Sequence, residues 1–193
     1  MELKNKRIGF ALCGSFCTFK KALMALKSLK DSGADVYPIM SETAYSTDTR
    51  FGKAEDFHEA IKAITGHDII KSIKEAEPIG PGKLFDLIIV APCTGNTIAK
   101  IASGITDSSV TMAVKAHLRN NRPALIAVST NDGLGTAAKN IGMIMNSKNF
   151  YFVPFCQDDY EKKPNSLVAE FDSIIPAAEA AMEGRQLQPL LFK

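Results

Sequence analysis

Residues 86–97 read DLIIVAPCTGNT, and no other passage limits so tightly what the chain can fold into. Leu87 to Ala91 are apolar without alternation. A strand with one wet face alternates apolar and polar residues. A strand that is apolar throughout is covered on both faces, as in a parallel sheet between layers of helix. Pro92 then interrupts the run. Cys93, Thr94, Gly95, Asn96 and Thr97 follow, all small or hydrogen-bonding, and a helical pattern starts at once.

The same alternation recurs along the chain. Strand-like runs fall at 7–12 (RIGFAL), 35–40 (DVYPIM), 86–91 (DLIIVA), 124–129 (ALIAVS) and 150–155 (FYFVPF). Pro38 marks the second as short or close to a sheet edge. Between them, Phe19, Leu23, Leu26 and Leu29 fall near helical spacing, with Gly33 placed to end that helix. Further helices are expected over 52–64, ending at Gly66, over 94–103, and over 108–120 with an N-cap around Asp107. A last helix carries Leu167, Phe171, Ile174, Ile175 and Ala178, and Pro176 should kink it. Residues 42–50 read as loop. Residues 67–85 are the least regular: HDIIKSIKEAE is compatible with a helix, whereas PIGPGKLF is not. The expected fold is α/β: one Rossmann-like domain over 1–193, a doubly wound parallel sheet with helices on both faces.

Composition removes several function classes. Lys and Arg number 23 and Asp and Glu 21, a net charge of +2 that builds no surface for nucleic acid. The apolar run Ile8 to Cys13 is too short for a signal segment or a span, and no run approaches the ~18 apolar residues a membrane helix needs. A cytoplasmic chain without a membrane is expected. Cys13, Cys17, Cys93 and Cys156 lack paired C-x2-C spacing, so they read as free thiols and no metal site is expected.

In open α/β sheets, ligands bind beyond the carboxyl ends of the strands. That edge gathers Cys13–Ser15, Ser41, Pro92–Thr97 and Ser129–Asp132. The candidate binding residues are Gly14, Ser15, Ser41, Cys93, Thr94, Gly95, Asn96, Thr97 and Ser129. Their chemistry is shared: small side chains, hydroxyls, and helix starts whose first amides lack intrahelical partners and favour anions. The plain alternative is helix capping, the commonest role of Ser, Thr and Asn at such positions. The Gly14–Ser15 and Thr94–Thr97 segments carry no acidic residue, which suits an anionic ligand. The chain has no G-x-G-x-x-G after its first strand and no G-x-S-x-G elbow, and GPGKL at 80–84 lacks P-loop spacing and reads as a turn. His58, His67 and His117 read as structural.

The segment APCTGNTIAKIASGITD (91–107) resembles the loop-and-helix signature of a flavoprotein family. That family contains phosphopantothenoylcysteine decarboxylases, lantibiotic-precursor decarboxylases and flavin prenyltransferases. Pro92, Asn96, Thr97, Ile98, Ala99, Lys100, Gly104, Ile105 and Asp107 match it, and Cys93-Thr94 is similar to the prenyltransferase version. Gly14-Ser15 and Ser41 fit the family's FMN contacts. The resemblance implies FMN at the strand ends, and a homo-oligomer of trimer size or larger. It also explains the opening passage: bulky side chains there would collide with a flavin.

Departures separate subfamilies. The decarboxylases carry a His shortly before the Asp that opens the central strand; here AEPIGPGKLFD has none. Their Pro-Ala-Met-Asn loop, and the prenyltransferases' Arg-Glu pair, are replaced by Ser129-Thr130-Asn131-Asp132-Gly133. GFALCGSFCTF (9–19) and residues 140–171 look instead like the flavoprotein-like partners in two-component dipicolinate synthases. That likeness implies one component of an NAD(P)-dependent oxidoreductase complex in the mother cell of a spore-forming bacterium. Its implied partner is a dehydrogenase-type subunit holding NAD(P), and its substrate a small dicarboxylate. Lys100, Lys115 and Arg119 are candidate cations for such a substrate, with solvated helix faces as the plain alternative. A cysteine-type decarboxylase or prenyltransferase-like enzyme, and a non-catalytic stabilising subunit, are the competing readings. The sequence names no catalytic residue.

Overall fold

A computed structural model describes residues 2–192. The strands are β1 Arg7–Leu12, β2 Asp35–Met40, β3 Leu87–Cys93, β4 Ala124–Thr130, β5 Phe150–Phe152, β6 Phe155–Cys156 and β7 Leu167–Ala169. The helices are α1 Phe19–Asp31, α2 Glu42–Ser46, α3 Ala54–Thr65, α4 Ile73–Ala76, α5 Gly95–Ala102, α6 Ser109–Leu118, α7 Ala137–Met145 and α8 Ile174–Met182.

Five strands run parallel in the order β2-β1-β3-β4-β5. Every residue of β3 is buried, and so is all of β4 except Thr130 at its end. Burial at successive positions means cover on both faces, so the sheet is flanked by helices as expected. The chain leaves β1 toward β2 on one side and returns to β3 on the other. The crevice between the carboxyl ends of β1 and β3 is therefore the topological switch point, where sheets of this kind take ligands. Among the described residues, no helix is long and apolar enough to cross a membrane.

Local chemistry explains most boundaries. Gly33 and Gly66 follow α1 and α3 with φ of +86° and +76°, the left-handed conformation that ends helices at little cost only for glycine. Pro38 sits in edge strand β2, and its carbonyl accepts the Ile70 amide at 2.9 Å. Gly9 in β1 leaves room for Phe85, whose ring would lie 2.8 Å from a Cβ there.

Four expectations need correction. Residues 42–50 are not all loop, because Ser41 caps the short helix α2 by accepting the Ala44 amide. The N-cap of α6 is Ser108, not Asp107; its hydroxyl and Thr111 form a reciprocal capping box. The run 150–155 is two strands. β5 is parallel to β4, whereas β6 pairs antiparallel with β7, and Val153 and Pro154 turn the chain between them. Leu167 lies in β7, and α8 starts only at Ile174. Pro176 thus occupies the first turn of α8, where its missing N–H has no partner to lose, and it breaks no helix interior. Helix α7, to which sequence analysis assigns no element, covers residues 137–145.

Beyond the parallel core, β4 changes neighbours along its length. Ala124–Ile126 pair with β5, and Ser129–Thr130 pair with β7. The open side of β5 meets a side chain. Gln186 accepts the Phe152 amide at 2.8 Å and donates to the Phe152 carbonyl at 2.7 Å.

Candidate functional site

Two cavities lie at the switch point and share Gly14 and Thr94 as a common wall. The first, of about 430 Å³, is lined by Ser41, Glu42, Asn96, Thr97, Lys100 and Asp107 among others. The second, of about 380 Å³, is lined by Ser15, Lys21, Gly95, Ser129, Asp158 and Lys163 among others. Eight of the nine sequence-predicted residues therefore meet here. The ninth, Cys93, is fully buried and lines neither cavity; its strand runs two residues further than expected and carries it inward.

The hydroxyls first serve the protein. Thr94 caps α5, accepting the Thr97 amide at 3.2 Å, and Ser41 caps α2 in the same way. The capping role is thus real for both. Ile98 donates to the Thr94 carbonyl, which leaves the Gly95 and Asn96 amides as the helix-start donors without an intrahelical partner. Across the second cavity, the Ser15 and Ser129 hydroxyls lie 2.8 Å apart, and Thr18 Oγ1 is 3.3 Å from Ser129 Oγ.

The two glycines differ in what they do. A Cβ at Gly95 would lie 2.8 Å from Thr130 Oγ1, so that glycine is required by packing. A Cβ at Gly14 would meet no protein atom closer than 3.6 Å, and its φ is not left-handed. Neither packing nor backbone geometry demands glycine at 14. What it leaves open is space at the wall between the cavities.

Charge divides them. The second cavity holds Lys21 and Lys163 against Asp158; the first holds Glu42 and Asp107 against Lys100. The short segments 14–15 and 94–97 are indeed free of acid, but α2 and the start of α6 bring two carboxylates beside them. The Lys100 ammonium grips both oxygens of Asp107, at 2.8 and 2.9 Å, and this holds the Asp107 carboxyl below its ordinary range. Both Glu42 oxygens accept the Ser109 amide, at 3.0 and 3.3 Å, at the start of α6. Sequence reasoning missed Lys21, Glu42, Asp158 and Lys163. Only Glu42 had a local signal, its place one residue after Ser41.

The remaining candidates lie elsewhere. Lys115 and Arg119 line a separate apolar groove with Ile105, Leu118 and Phe150. The Asp132 carboxylate accepts the amide and the hydroxyl of Thr136, just before α7. All three histidines are structural: His58 bonds the Tyr45 carbonyl, His67 bonds Asp35, and His117 donates to the Pro123 carbonyl at 2.9 Å. Burial pushes the His117 imidazole down to about 4 and the Cys13 thiol up to about 11, so neither ionises at neutral pH.

A family model described as Flavoprotein matches residues 1–169. The chain belongs to the flavoprotein family. Within it, this flavoprotein is 46% identical over 192 residues to the B-type subunit of dipicolinate synthase from Bacillus subtilis (strain 168), covering 100% of this chain and 96% of the relative. The crystal structure of the same B-type subunit from Bacillus halodurans superimposes with a TM-score of 0.92 at 43% identity, over 100% of this chain and 99% of that one. This flavoprotein is thus a homologue of the B-type subunit of dipicolinate synthase. The structure of AnUbiX (PadA1), solved in complex with FMN and dimethylallyl pyrophosphate, shares the fold with a TM-score of 0.66 at 18% identity, over 93% of each chain.

Proposed function

We propose that this chain is the flavoprotein-like subunit of a dipicolinate synthase. It acts with a dehydrogenase-type subunit to oxidise a dihydrodipicolinate precursor to dipicolinate during sporulation, in the cytoplasm of the mother cell. Residues 1–193 act as one flavoprotein-like domain, assembled into a homo-oligomer of trimer size or larger. The observation that carries this reading is 46% identity running the whole length of the chain, combined with a polar double cavity at the switch point.

The residues present suit FMN. Its phosphate is matched by the Ser15 and Ser129 hydroxyls, by Lys21 and Lys163, and by the amide-bearing start of α5. The open space at Gly14 admits a group passing between the cavities. Asn96, facing the first cavity, can donate to and accept from the polar edge of a ring. When bound, FMN supplies two-electron redox chemistry that protein side chains lack. The protein's part is to hold the phosphate, to orient the ring and to keep charges of known sign on either side. The chain has no dinucleotide fingerprint after β1, so NAD(P) belongs to the dehydrogenase-type partner.

Two measurements test the reading. The purified chain should show flavin absorption in the visible after incubation with FMN and removal of the excess. Dipicolinate should form only when this chain and its dehydrogenase-type partner are combined. Asn96→Asp keeps the volume but adds a negative charge; it should leave assembly with the partner intact and abolish synthesis. Synthesis at the wild-type rate by that variant overturns the role given to the cavity.

A further inference from the structure

Aromatising a dihydropyridine ring removes a hydride and a proton, and among the described residues no histidine lines either cavity to take the proton. We infer that Glu42 is the proton acceptor of this site, a role that rests on the reading just proposed.

The other ionisable groups of the two cavities are committed or in the wrong state. Asp107 is held through both oxygens by Lys100. Asp158 takes the Ser166 hydroxyl and lies 3.7 Å from the Lys163 ammonium. Protonating either carboxylate breaks an ion pair. Lysines are already protonated at neutral pH.

Glu42 differs in three ways. It is exposed on α2 and lines the first cavity. Among the described residues it has no ion-pair partner. What holds it is one neutral amide, that of Ser109, shared between its two oxygens. A carboxylate offers about four lone-pair sites, so one N–H fixes the group in place and leaves acceptor capacity facing the cavity. The amide bond also survives protonation, because a carboxylic acid keeps a carbonyl oxygen to receive it.

The charge division then sets the direction of approach. The carboxylates of the substrate are repelled by Glu42 and Asp107 and turn away from them. Its ring hydrogens are left on the Glu42 side. One ring C–H bond breaks with its electron pair leaving as hydride to the nicotinamide acceptor of the dehydrogenase-type partner. A second ring hydrogen leaves as a proton to a Glu42 oxygen, and the electrons of that bond become the new ring double bond. The product is the aromatic dicarboxylate and the acceptor is reduced by two electrons.

The experiment uses the full complex with the dehydrogenase-type partner and the dihydrodipicolinate precursor, followed by formation of the pyridine product. Wild-type turnover tests the parent reading by itself; if wild type makes no dipicolinate, that reading and this role fall together. Glu42→Gln keeps an acceptor for the Ser109 amide and removes the base. It should lower kcat by about 100-fold or more, the usual worth of a positioned base, with KM changed less than about threefold and an unchanged melting midpoint. Glu42→Gly should be inactive, and added acetate should restore part of its turnover. A Glu42→Gln complex within about threefold of wild type overturns the proposal. So does a loss confined to KM, to assembly with the partner or to melting, each of which marks Glu42 as a structural anchor between α2 and α6.

Discussion

The Ser15 hydroxyl lies 2.8 Å from that of Ser129, tying the turn after β1 to the end of β4 across 114 residues of sequence. The pair forms the floor on which we place an anionic group. Ser15→Asp should preserve this link, because an aspartate oxygen can accept the Ser129 hydroxyl. It also sets a negative charge where we propose that the phosphate of FMN binds. Fluorescence titration should show FMN affinity reduced by about 100-fold or more, roughly 2.7 kcal/mol, with the fold intact by circular dichroism. Unchanged affinity would move the phosphate site away from Ser15.

Gly95 and Thr130 make a second test, this one of packing. Gly95→Ala places a Cβ 2.8 Å from Thr130 Oγ1 and should cost about 1–3 kcal/mol in urea denaturation. Thr130→Ala removes that oxygen, and the next atom, Thr130 Cβ, is at 3.6 Å. The double variant should be more stable than the sum of the single variants indicates. Strict additivity would show that the clash is not the cause.

His117 gives the fold a pH dependence with a definite sign. Burial lowers its pKa from 6.5 to about 4, so between those values the unfolded chain binds a proton that the folded chain does not. Stability from this group is complete above about pH 6.5 and is lost progressively as pH falls toward about 4. The full effect is about 3 kcal/mol. Denaturation midpoints of wild type should fall between pH 7.5 and pH 5, and those of His117→Gln should fall less. Equal slopes in the two proteins would exclude His117 as the source.

Two glycines with empty surroundings should respond in opposite directions to alanine. Gly142 is exposed within α7, with an ordinary φ and no atom within 4 Å of where a Cβ would sit. Gly142→Ala should stabilise by about 0.5–1 kcal/mol. Gly66 has equally open space but a φ of +76°, and Gly66→Ala should destabilise by about 1 kcal/mol. Thermal melting of both variants would show whether backbone conformation alone sets the sign.

The parts of the fold that were legible in the sequence are those fixed by local pattern. The runs at 8–12, 87–91 and 124–129 are legible as strands because burial on both faces makes them apolar throughout, and 35–40 because its apolar run is short and two of its first three positions are only half-buried. Gly33 and Gly66 end helices because little else tolerates their φ. The run 150–155 misled because it is apolar on either side of a change of partner, which is decided by where β7 lies and not by the run itself. The Thr94–Thr97 loop could be read as a cavity wall, and eight of nine candidate residues do line the cavities. Lys21 and Lys163 could not, since each is an ordinary polar residue on a helix or loop until the fold turns it toward the crevice.

Gln186 has a consequence for how the molecule behaves in a crowded solution. The free margin of β5 offers a donor and an acceptor at Phe152, the pair a passing strand from another chain would seize. The Gln186 amide already occupies both, imitating one peptide unit of a strand that is not there. A short stretch with sequence FYF is otherwise well suited to stacking against its own copies. Gln186 thus stands guard over this rim of the sheet, and a chain with leucine at this position should show more fibrillar or amorphous self-association than the native chain.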